Sequence, residues 1–137
     1  TEGPMTDMGL WHKKIPAEEL KAGSKAVEID DRIAPLDNEL VIVKKRASAF
    51  HGTPLAGFLR AAGVDTVIVT GATACACVRS SIEDALAEGF RPIAVRECIG
   101  DRIPGAVEWS LFDVDAKFGD VELLETVMEY LRRNDIG

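Results

Sequence analysis

From residue 40 onward, the hydrophobic and polar positions follow two alternating periods. Short apolar runs rich in β-branched residues have the length and composition of buried strands: LVIVK (40 to 44), TVIVT (66 to 70) and PIAVR (92 to 96). Segments with apolar residues three and four apart predict helices at 54 to 63, 78 to 89 and about 120 to 133. Strands that alternate with helices are typical of a parallel sheet with crossover helices. The pattern therefore predicts an α/β fold built from successive βα units.

Residues 1 to 38 have a different pattern. They contain a possible short helix at 16 to 23 and a turn-rich segment at 29 to 38, but no strand followed by a long helix. So long an irregular segment is unusual in a compact domain, and three strands make a small sheet for this class. We therefore expect 1 to 38 to be an irregular lead-in and 39 to 137 a βαβαβα core. Together they would form the C-terminal portion of a single domain.

Composition and charge limit the classes of partner. The chain has 137 residues, 47% of them hydrophobic, which is enough for one packed core. Its 23 acidic and 16 basic residues leave a net charge of -7, so we expect no nucleic-acid partner. No apolar run reaches the roughly 20 residues of a membrane span, so we expect no membrane partner. The three cysteines lack the dense, even spacing of a disulfide framework, which favours a reducing, cytoplasmic setting.

Chemistry in an open parallel sheet is expected at the carboxyl ends of the strands. The first predicted strand ends at Lys44, and the second leads through TGATACAC into the helix that begins near Cys77. The third predicted strand is followed by Arg96 and Arg102. The pattern therefore places a lysine, a cysteine and two arginines at one edge of the sheet.

Cys77 lies where the first turn of a helix is predicted. Unpaired backbone N–H groups and the helix dipole favour negative charge there, which suits a thiolate nucleophile. The glycine and alanines that precede it predict a tight strand-to-helix turn whose amides can hold a developing oxyanion. An arbitrary cysteine is more often a small buried apolar residue, but this position favours the nucleophile.

The other cysteines and the histidines do not complete a metal site. Cys75 and Cys77 form a CxC pattern without a second pair, and His12 and His51 have no ligand spacing. A disulfide between Cys75 and Cys77 would close a very small, strained ring. We therefore predict no metal and no cofactor, and we interpret Cys75 and Cys98 as packing residues.

Lys44 and Arg102 can each be interpreted without a role in a functional site. Lys44 would then be a lysine at the end of a strand that reaches into solvent, and Arg102 would be a surface charge. The polar loop after Lys44, KRASAFHGT, returns the chain towards the same edge of the sheet. The loop IGDRIPG also follows a strand, and the guanidinium of Arg102 can bind a substrate carboxylate through two hydrogen bonds. Both residues are therefore candidates for the site.

Several strings of this sequence match one known family. They are KIP (14 to 16), IDDRI (29 to 33), VKKRASAFHGT (43 to 53) and VTGATACACVRSSIEDALAEGFRPIAVRECIGDRIPGAVEWSLFDVDAKFGDV (69 to 121). They resemble the cysteine hydrolases of the isochorismatase-like superfamily, most closely its N-carbamoylsarcosine amidohydrolase branch, over nearly the whole chain. The resemblance implies a three-layer αβα fold with a mostly parallel, Rossmann-like sheet, whose N-terminal strands this chain lacks.

The resemblance also implies a role for each candidate residue. Family members use a Cys–Asp–Lys triad, in which the nucleophile matches Cys77 and the lysine matches Lys44. The oxyanion hole is implied at Ala72 and Thr73, beside a cis peptide bond that no proline follows, together with the amide of Cys77. In the carbamoylsarcosine-type enzymes an arginine meets the substrate carboxylate, and Arg102 matches it.

The family's aspartate has no match in this sequence. In the family it ends the first strand, in a segment like D-x-Q. This sequence has four aspartates upstream of Lys44, and none of them follows an apolar strand: Asp7, Asp30, Asp31 and Asp37. We therefore expect the aspartate and the first strands on a separate chain or an N-terminal piece. The alternative is that this chain has lost the activity.

The function implied by the resemblance is hydrolysis of a small amide or carbamoyl group, with release of ammonia. The implied assembly is a homo-oligomer, or an association with an N-terminal fragment that carries the missing strands. The competing interpretations are another hydrolase of the superfamily, acting on maleamate, ureidoacrylate, nicotinamide or isochorismate, and a non-catalytic relative that pairs with a partner subunit. A CxC metal or redox module is a further alternative. Nicotinamidases hold a metal through an Asp and His cluster, which this sequence lacks.

Overall fold

The computed structural model describes residues 1 to 134. The chain divides into two compact units, Thr1–Arg46 and Ala47–Gly137. Regular structure in the first unit consists of 3-10 helical turns at Met5–Lys13, Lys25–Val27 and Asp31–Ile33. The first of these is interrupted at Gly9, whose φ of 63° lies in the left-handed region.

The strand predicted at residues 40 to 44 is not formed. This segment has no strand partner among the described residues, and Leu40, Val41 and Val43 are 59%, 54% and 65% exposed. A strand requires hydrogen bonds to a neighbouring strand, which an apolar, β-branched run does not supply by itself. The prediction of a first strand ending at Lys44 is therefore wrong for this structure.

The helix predicted at residues 16 to 23 is also wrong, because this segment forms turns. The amide of Glu19 donates to Pro16 and that of Leu20 to Ala17, but no longer helical ladder follows. A helix this short is not stable in water without an apolar face to bury, and only Ala17 in the segment is buried.

The second unit is built on a parallel three-stranded sheet. Its strands are β1 (Thr66–Ala72), β2 (Arg91–Gly100) and β3 (Asp120–Glu122), in the order β1-β2-β3. Its helices are α1 (Leu55–Ala61), α2 (Arg79–Ala87), α3 (Pro104–Asp113) and α4 (Leu124–Arg133). The register pairs Ala72 with Gly100, so β1 and β2 end side by side at the edge where chemistry is expected.

The predicted elements of this unit are confirmed at 54 to 63, 66 to 70, 78 to 89 and 92 to 96. The last helix begins at Leu124 and not near Asp120, because residues 120 to 122 form β3 against β2. Helix α3 lies in a segment for which no element is predicted.

Both faces of the sheet are covered, as an α/β fold requires. Successive residues of a strand point to opposite faces, and Ala94 and Val95 of β2 are both buried. Ala94 packs in one cluster with Ile82 of α2 and Leu111 of α3, while α4 also contacts β2. The predicted fold class, a parallel sheet between helical layers, is confirmed.

None of the helices in residues 1 to 134 combines the length and the apolar composition that crossing a bilayer requires.

Candidate active site

The candidate site is built on the turn between β1 and α2. The Ala72–Thr73 peptide bond is cis, which confirms the expectation from the resemblance. After Thr73 the chain enters a wide helical turn, Ala74–Val78, in which the amides of Ala76 and Val78 both donate to the Thr73 carbonyl at 3.1 Å. Wide turns of this kind are often found inside or before α-helices at functional sites.

The two cysteines of this turn differ in their exposure to solvent. Ala74 and Val78 are buried in the main apolar cluster of the unit and anchor the turn against the sheet. Cys77 is half-buried beside Val78, whereas Cys75 is exposed. The interpretation of Cys75 as a packing residue is therefore wrong, because its side chain is exposed to solvent.

Ser81, which is not among the predicted site residues, holds the backbone at Cys77. Its hydroxyl donates to the Cys77 carbonyl at 2.7 Å and accepts from the Ala49 amide at 2.9 Å. Ser81 is buried, and both of its hydrogen bonds are partly buried. The signal that indicates such a bond is the position of Ser81 four residues after Cys77, where the wide turn continues into α2.

Cys75 interacts with Asp101, which follows β2. The Cys75 amide donates to Asp101 Oδ2 at 3.0 Å, and its thiol also hydrogen bonds to this carboxylate. The thiol hydrogen bond, desolvation and the negative charge of Asp101 together raise the pKa of Cys75. Cys75 is therefore held as a neutral thiol at neutral pH, which makes it a poor nucleophile.

Asp101 also contacts the loop that carries Arg102. Its Oδ1 accepts from the Arg102 amide at 2.7 Å. The Cys75 amide is the largest of several influences that lower the pKa of Asp101, and the charge of Arg102 is another. Asp101 is thus an ionised acceptor between the β1–α2 turn and the β2–α3 loop.

The two predicted arginines have different surroundings. Arg102 is exposed in the loop before α3. Arg96 Nη1 lies 3.1 Å from both carboxylate oxygens of Glu108 on α3, so its charge is paired within the unit. Of the two, Arg102 is the one tied to the turn that carries Cys77.

Lys44 belongs to the first unit. Its Nζ donates to the Arg46 carbonyl at 2.8 Å and lies 5.6 Å from the centroid of the Trp11 ring, within the range of a cation–π contact. Cys77 belongs to the second unit, and the pairing of Lys44 with Cys77 stays a prediction.

Two of the aspartates upstream of Lys44 make local contacts. Asp30 binds the side chain and the amide of Arg32, and these hydrogen bonds lower the pKa of Asp30 to about 2. Asp7 accepts from the Glu2 amide and forms an ion pair with Lys45 at 3.3 Å. Each of these carboxylates therefore has a structural role within the first unit.

Within residues 1 to 134, the His, Cys, Asp and Glu side chains do not form groups of three or more that could hold a metal ion. Cys98, for which the sequence predicts a packing role, is half-buried in β2.

Two curated relatives match nearly the whole of this chain, and both are longer than it. The chain is 62% identical to the N-carbamoylsarcosine amidase of an Arthrobacter species over 91% of this chain and 47% of that protein. It is 42% identical to the maleamate amidohydrolase of Pseudomonas putida over 92% of this chain and 60% of that protein. The chain therefore spans about half the length of the curated relatives it matches.

A solved structure and a family model agree with these relatives. The structure of a cysteine hydrolase from Pseudomonas syringae superposes with a TM-score of 0.90 and 25% identity, over 97% of this chain and 68% of that one. The model of the isochorismatase domain matches residues 2–126. This match covers most of the chain, and the chain belongs to the isochorismatase family.

Proposed function

We propose that the chain provides the nucleophile of an amidohydrolase that cleaves a small linear amide or carbamoyl group and releases ammonia. The observation that carries the proposal is the position of Cys77. It is half-buried in the first helical turn after a cis peptide bond, at the carboxyl end of a parallel strand. The identity to N-carbamoylsarcosine amidase supports a carbamoyl substrate.

The proposed reaction has two steps at the carbonyl carbon of the substrate. The Cys77 thiolate attacks this carbon, and backbone amides at Ala72, Thr73 and Cys77 stabilise the oxyanion that forms. The C–N bond breaks, and ammonia leaves with a proton from a general acid. Water then attacks the resulting thiocarbamate or thioester and regenerates the thiol.

The proposed general acid is the family's aspartate, and Lys44 would keep the thiolate and this carboxylate charged and in place. No aspartate in this sequence matches the family's motif, so the aspartate would be supplied by further polypeptide or by another chain. The intact mass of the expressed protein tests this step, because a mass above 14.8 kDa or a second co-purifying fragment reveals the additional segment.

Arg102 is the proposed contact for a substrate carboxylate. Its guanidinium is exposed on the loop that Asp101 ties to the turn of Cys77. A planar guanidinium can bind a carboxylate through two parallel hydrogen bonds, which fixes the orientation of the substrate as well as its charge. Substrates with a carboxylate near the scissile group are therefore preferred.

The test compares the two cysteines of the same turn. Cys77→Ala in the intact protein should abolish release of ammonia from N-carbamoylsarcosine, with a loss of about 10³-fold or more in kcat, because no other group supplies the covalent step. Cys75→Ala is the matched control and should retain activity. If Cys75→Ala is inactive and Cys77→Ala is active, the nucleophile is assigned to the wrong cysteine.

A second candidate substrate is maleamate, which the 42% identity to maleamate amidohydrolase favours. Maleamate and N-carbamoylsarcosine both carry a carboxylate and a terminal amide nitrogen, so the same site chemistry would serve either. Comparison of kcat/KM for the two compounds with the same protein preparation decides between them.

A non-catalytic relative that only pairs with a partner subunit remains the alternative from another class. In an enzyme, an alkylating reagent should modify Cys77 quickly near neutral pH, and faster than Cys75. Equally slow modification of both thiols would favour the non-catalytic role. The proposed oligomer is tested separately, by the molecular mass in solution.

A further inference from the structure

We infer that Asp101 is a positioning residue that holds Arg102 at the substrate site by tying its loop to the turn of Cys77. This inference rests on the proposed function, because it concerns the residue proposed to bind the substrate carboxylate. Asp101 itself is not proposed to touch the reacting atoms.

The sheet brings the two segments together. β1 and β2 are parallel neighbours, and their register pairs Ala72 with Gly100. The next residues, Thr73 and Asp101, therefore leave the sheet at the same edge. This places the Asp101 carboxylate beside the start of the helical turn that contains Cys77.

The carboxylate makes one hydrogen bond to each segment. Asp101 Oδ2 accepts from the Cys75 amide at 3.0 Å, and Oδ1 accepts from the Arg102 amide at 2.7 Å. Both donors are backbone groups, so the bonds fix the main chain and not only the side chains. Hydrogen bonds to an ionised carboxylate are stronger than those between neutral groups.

Packing does little to hold this loop, which makes the carboxylate important. Gly100, Arg102 and Ile103 are exposed, and Ile103 keeps 63% of its surface in solvent. Regular structure resumes only at Pro104, where α3 begins. With few buried apolar contacts, such a loop is held mainly by its hydrogen bonds.

We therefore expect Asp101 to affect the affinity for the substrate more than the rate of the chemical step. Without the carboxylate, the Arg102 backbone becomes mobile, and its guanidinium is spread over more orientations before binding. Ordering it again costs free energy when the carboxylate of the substrate binds. Attack by Cys77 on the carbonyl carbon does not use Asp101, so the chemical step should change less.

The first measurement is steady-state kinetics of the intact protein with two substrates. For Asp101→Ala, KM for N-carbamoylsarcosine should rise about tenfold while kcat changes less than about threefold. KM for N,N-dimethylurea, which has the same carbamoyl group without the carboxylate, should not change. Asp101→Asn keeps one acceptor oxygen and should restore part of the affinity. Asp115→Asn removes an exposed carboxylate elsewhere in the same unit and should behave as wild type.

The second measurement is backbone hydrogen exchange, which does not depend on activity. Asp101→Ala should speed exchange of the Cys75 and Arg102 amides by about tenfold, and Asp115→Asn should not. If the alanine variant does not fold, the nearly isosteric Asp101→Asn serves in both measurements, with an intermediate effect expected.

The possible outcomes separate this inference from the proposed function. Unchanged exchange, or an equal rise in KM for both substrates, would overturn the positioning role of Asp101. If the wild type releases no ammonia from N-carbamoylsarcosine, N,N-dimethylurea or maleamate, the proposed function fails, and faster exchange in Asp101→Ala still supports the tie between the two segments. Unchanged KM for N-carbamoylsarcosine in Arg102→Ala would show that Arg102 does not bind the carboxylate, and the inference would be wrong.

Discussion

Two cysteines of one helical turn differ because of their neighbours. Cys75 is exposed and hydrogen bonded to Asp101, whose carboxylate raises the pKa of the Cys75 thiol. Cys77 is half-buried beside Val78, which packs in the apolar cluster. The sequence indicates the difference between the two cysteines from position alone, but it does not predict the contact with Asp101, because residues 75 and 101 meet only through the pairing of β1 with β2.

The hydroxyl group of Ser81 is expected to stabilise the fold. Ser81→Ala leaves the Ala49 amide without its acceptor and the Cys77 carbonyl without its donor, and both of these hydrogen bonds are partly buried. Each hydrogen bond contributes about 0.5–1.5 kcal/mol, so we expect the loss of both to lower the free energy of unfolding by about 2 kcal/mol. Urea denaturation of the intact protein measures this change.

Ser80→Ala is the matched control for that prediction. Ser80 lies next to Ser81 on the same helix but is less buried. We expect its replacement to change the free energy of unfolding by less than about 0.5 kcal/mol. Equal effects of the two substitutions would show that the two hydrogen bonds of Ser81 add no stability.

The backbone at Gly119 lies so close to β2 that a larger residue there is expected to lower stability. A Cβ at Gly119 would lie 2.4 Å from the carbonyl oxygen of Pro92, which is backbone and cannot rotate away. Gly119→Ala should therefore push β3 from β2 and lower the free energy of unfolding by about 1–3 kcal/mol. Thermal and urea denaturation both measure this loss.

Gly105 is the control for the same substitution. It lies in α3, and apart from its chain neighbours and the adjacent backbone of its own helix no atom lies within 4 Å of its Cβ position, so alanine fits there. Alanine is favoured over glycine in a helix, and Gly105→Ala should leave stability unchanged or raise it by about 0.5–1 kcal/mol. A loss as large as that of Gly119→Ala would contradict the close-approach argument.

Elements whose signal is local are predicted well from the sequence. Helix α2 has a regular apolar stripe and a glycine after its end, and β1 is a run of β-branched residues. Helix α3 is not predicted, because exposed Trp109 and Phe112 on its outer face hide the amphipathic period.

Elements that depend on a partner are predicted poorly. Strand β3 has only three residues, and it forms because its backbone pairs with Ile93, Ala94 and Val95 of β2. The run at 40 to 44 has strand-like residues, but no described strand pairs with it. Composition describes what a segment prefers, and pairing is a property of two segments.

For the whole molecule, the predicted fold class is confirmed by the parallel sheet and its covered faces, and family membership by the match over residues 2–126. Of the proposed site residues, Lys44 belongs to the first unit, and Cys77 and Arg102 belong to the second. The cis peptide bond at Ala72–Thr73 could be predicted only from the family resemblance, because neither the composition nor the periodicity of the sequence indicates a cis bond.

In the proposed reaction, Cys77 forms a covalent bond with the acyl group of the substrate. The most direct measurement is mass spectrometry of the intact protein quenched in acid during turnover of N-carbamoylsarcosine, followed by fragmentation of the peptide that contains both cysteines. We predict a mass increase equal to the substrate minus ammonia, located on Cys77, and its absence in Cys77→Ala. An adduct located on Cys75, or turnover with no adduct in any quenched sample, would contradict the account.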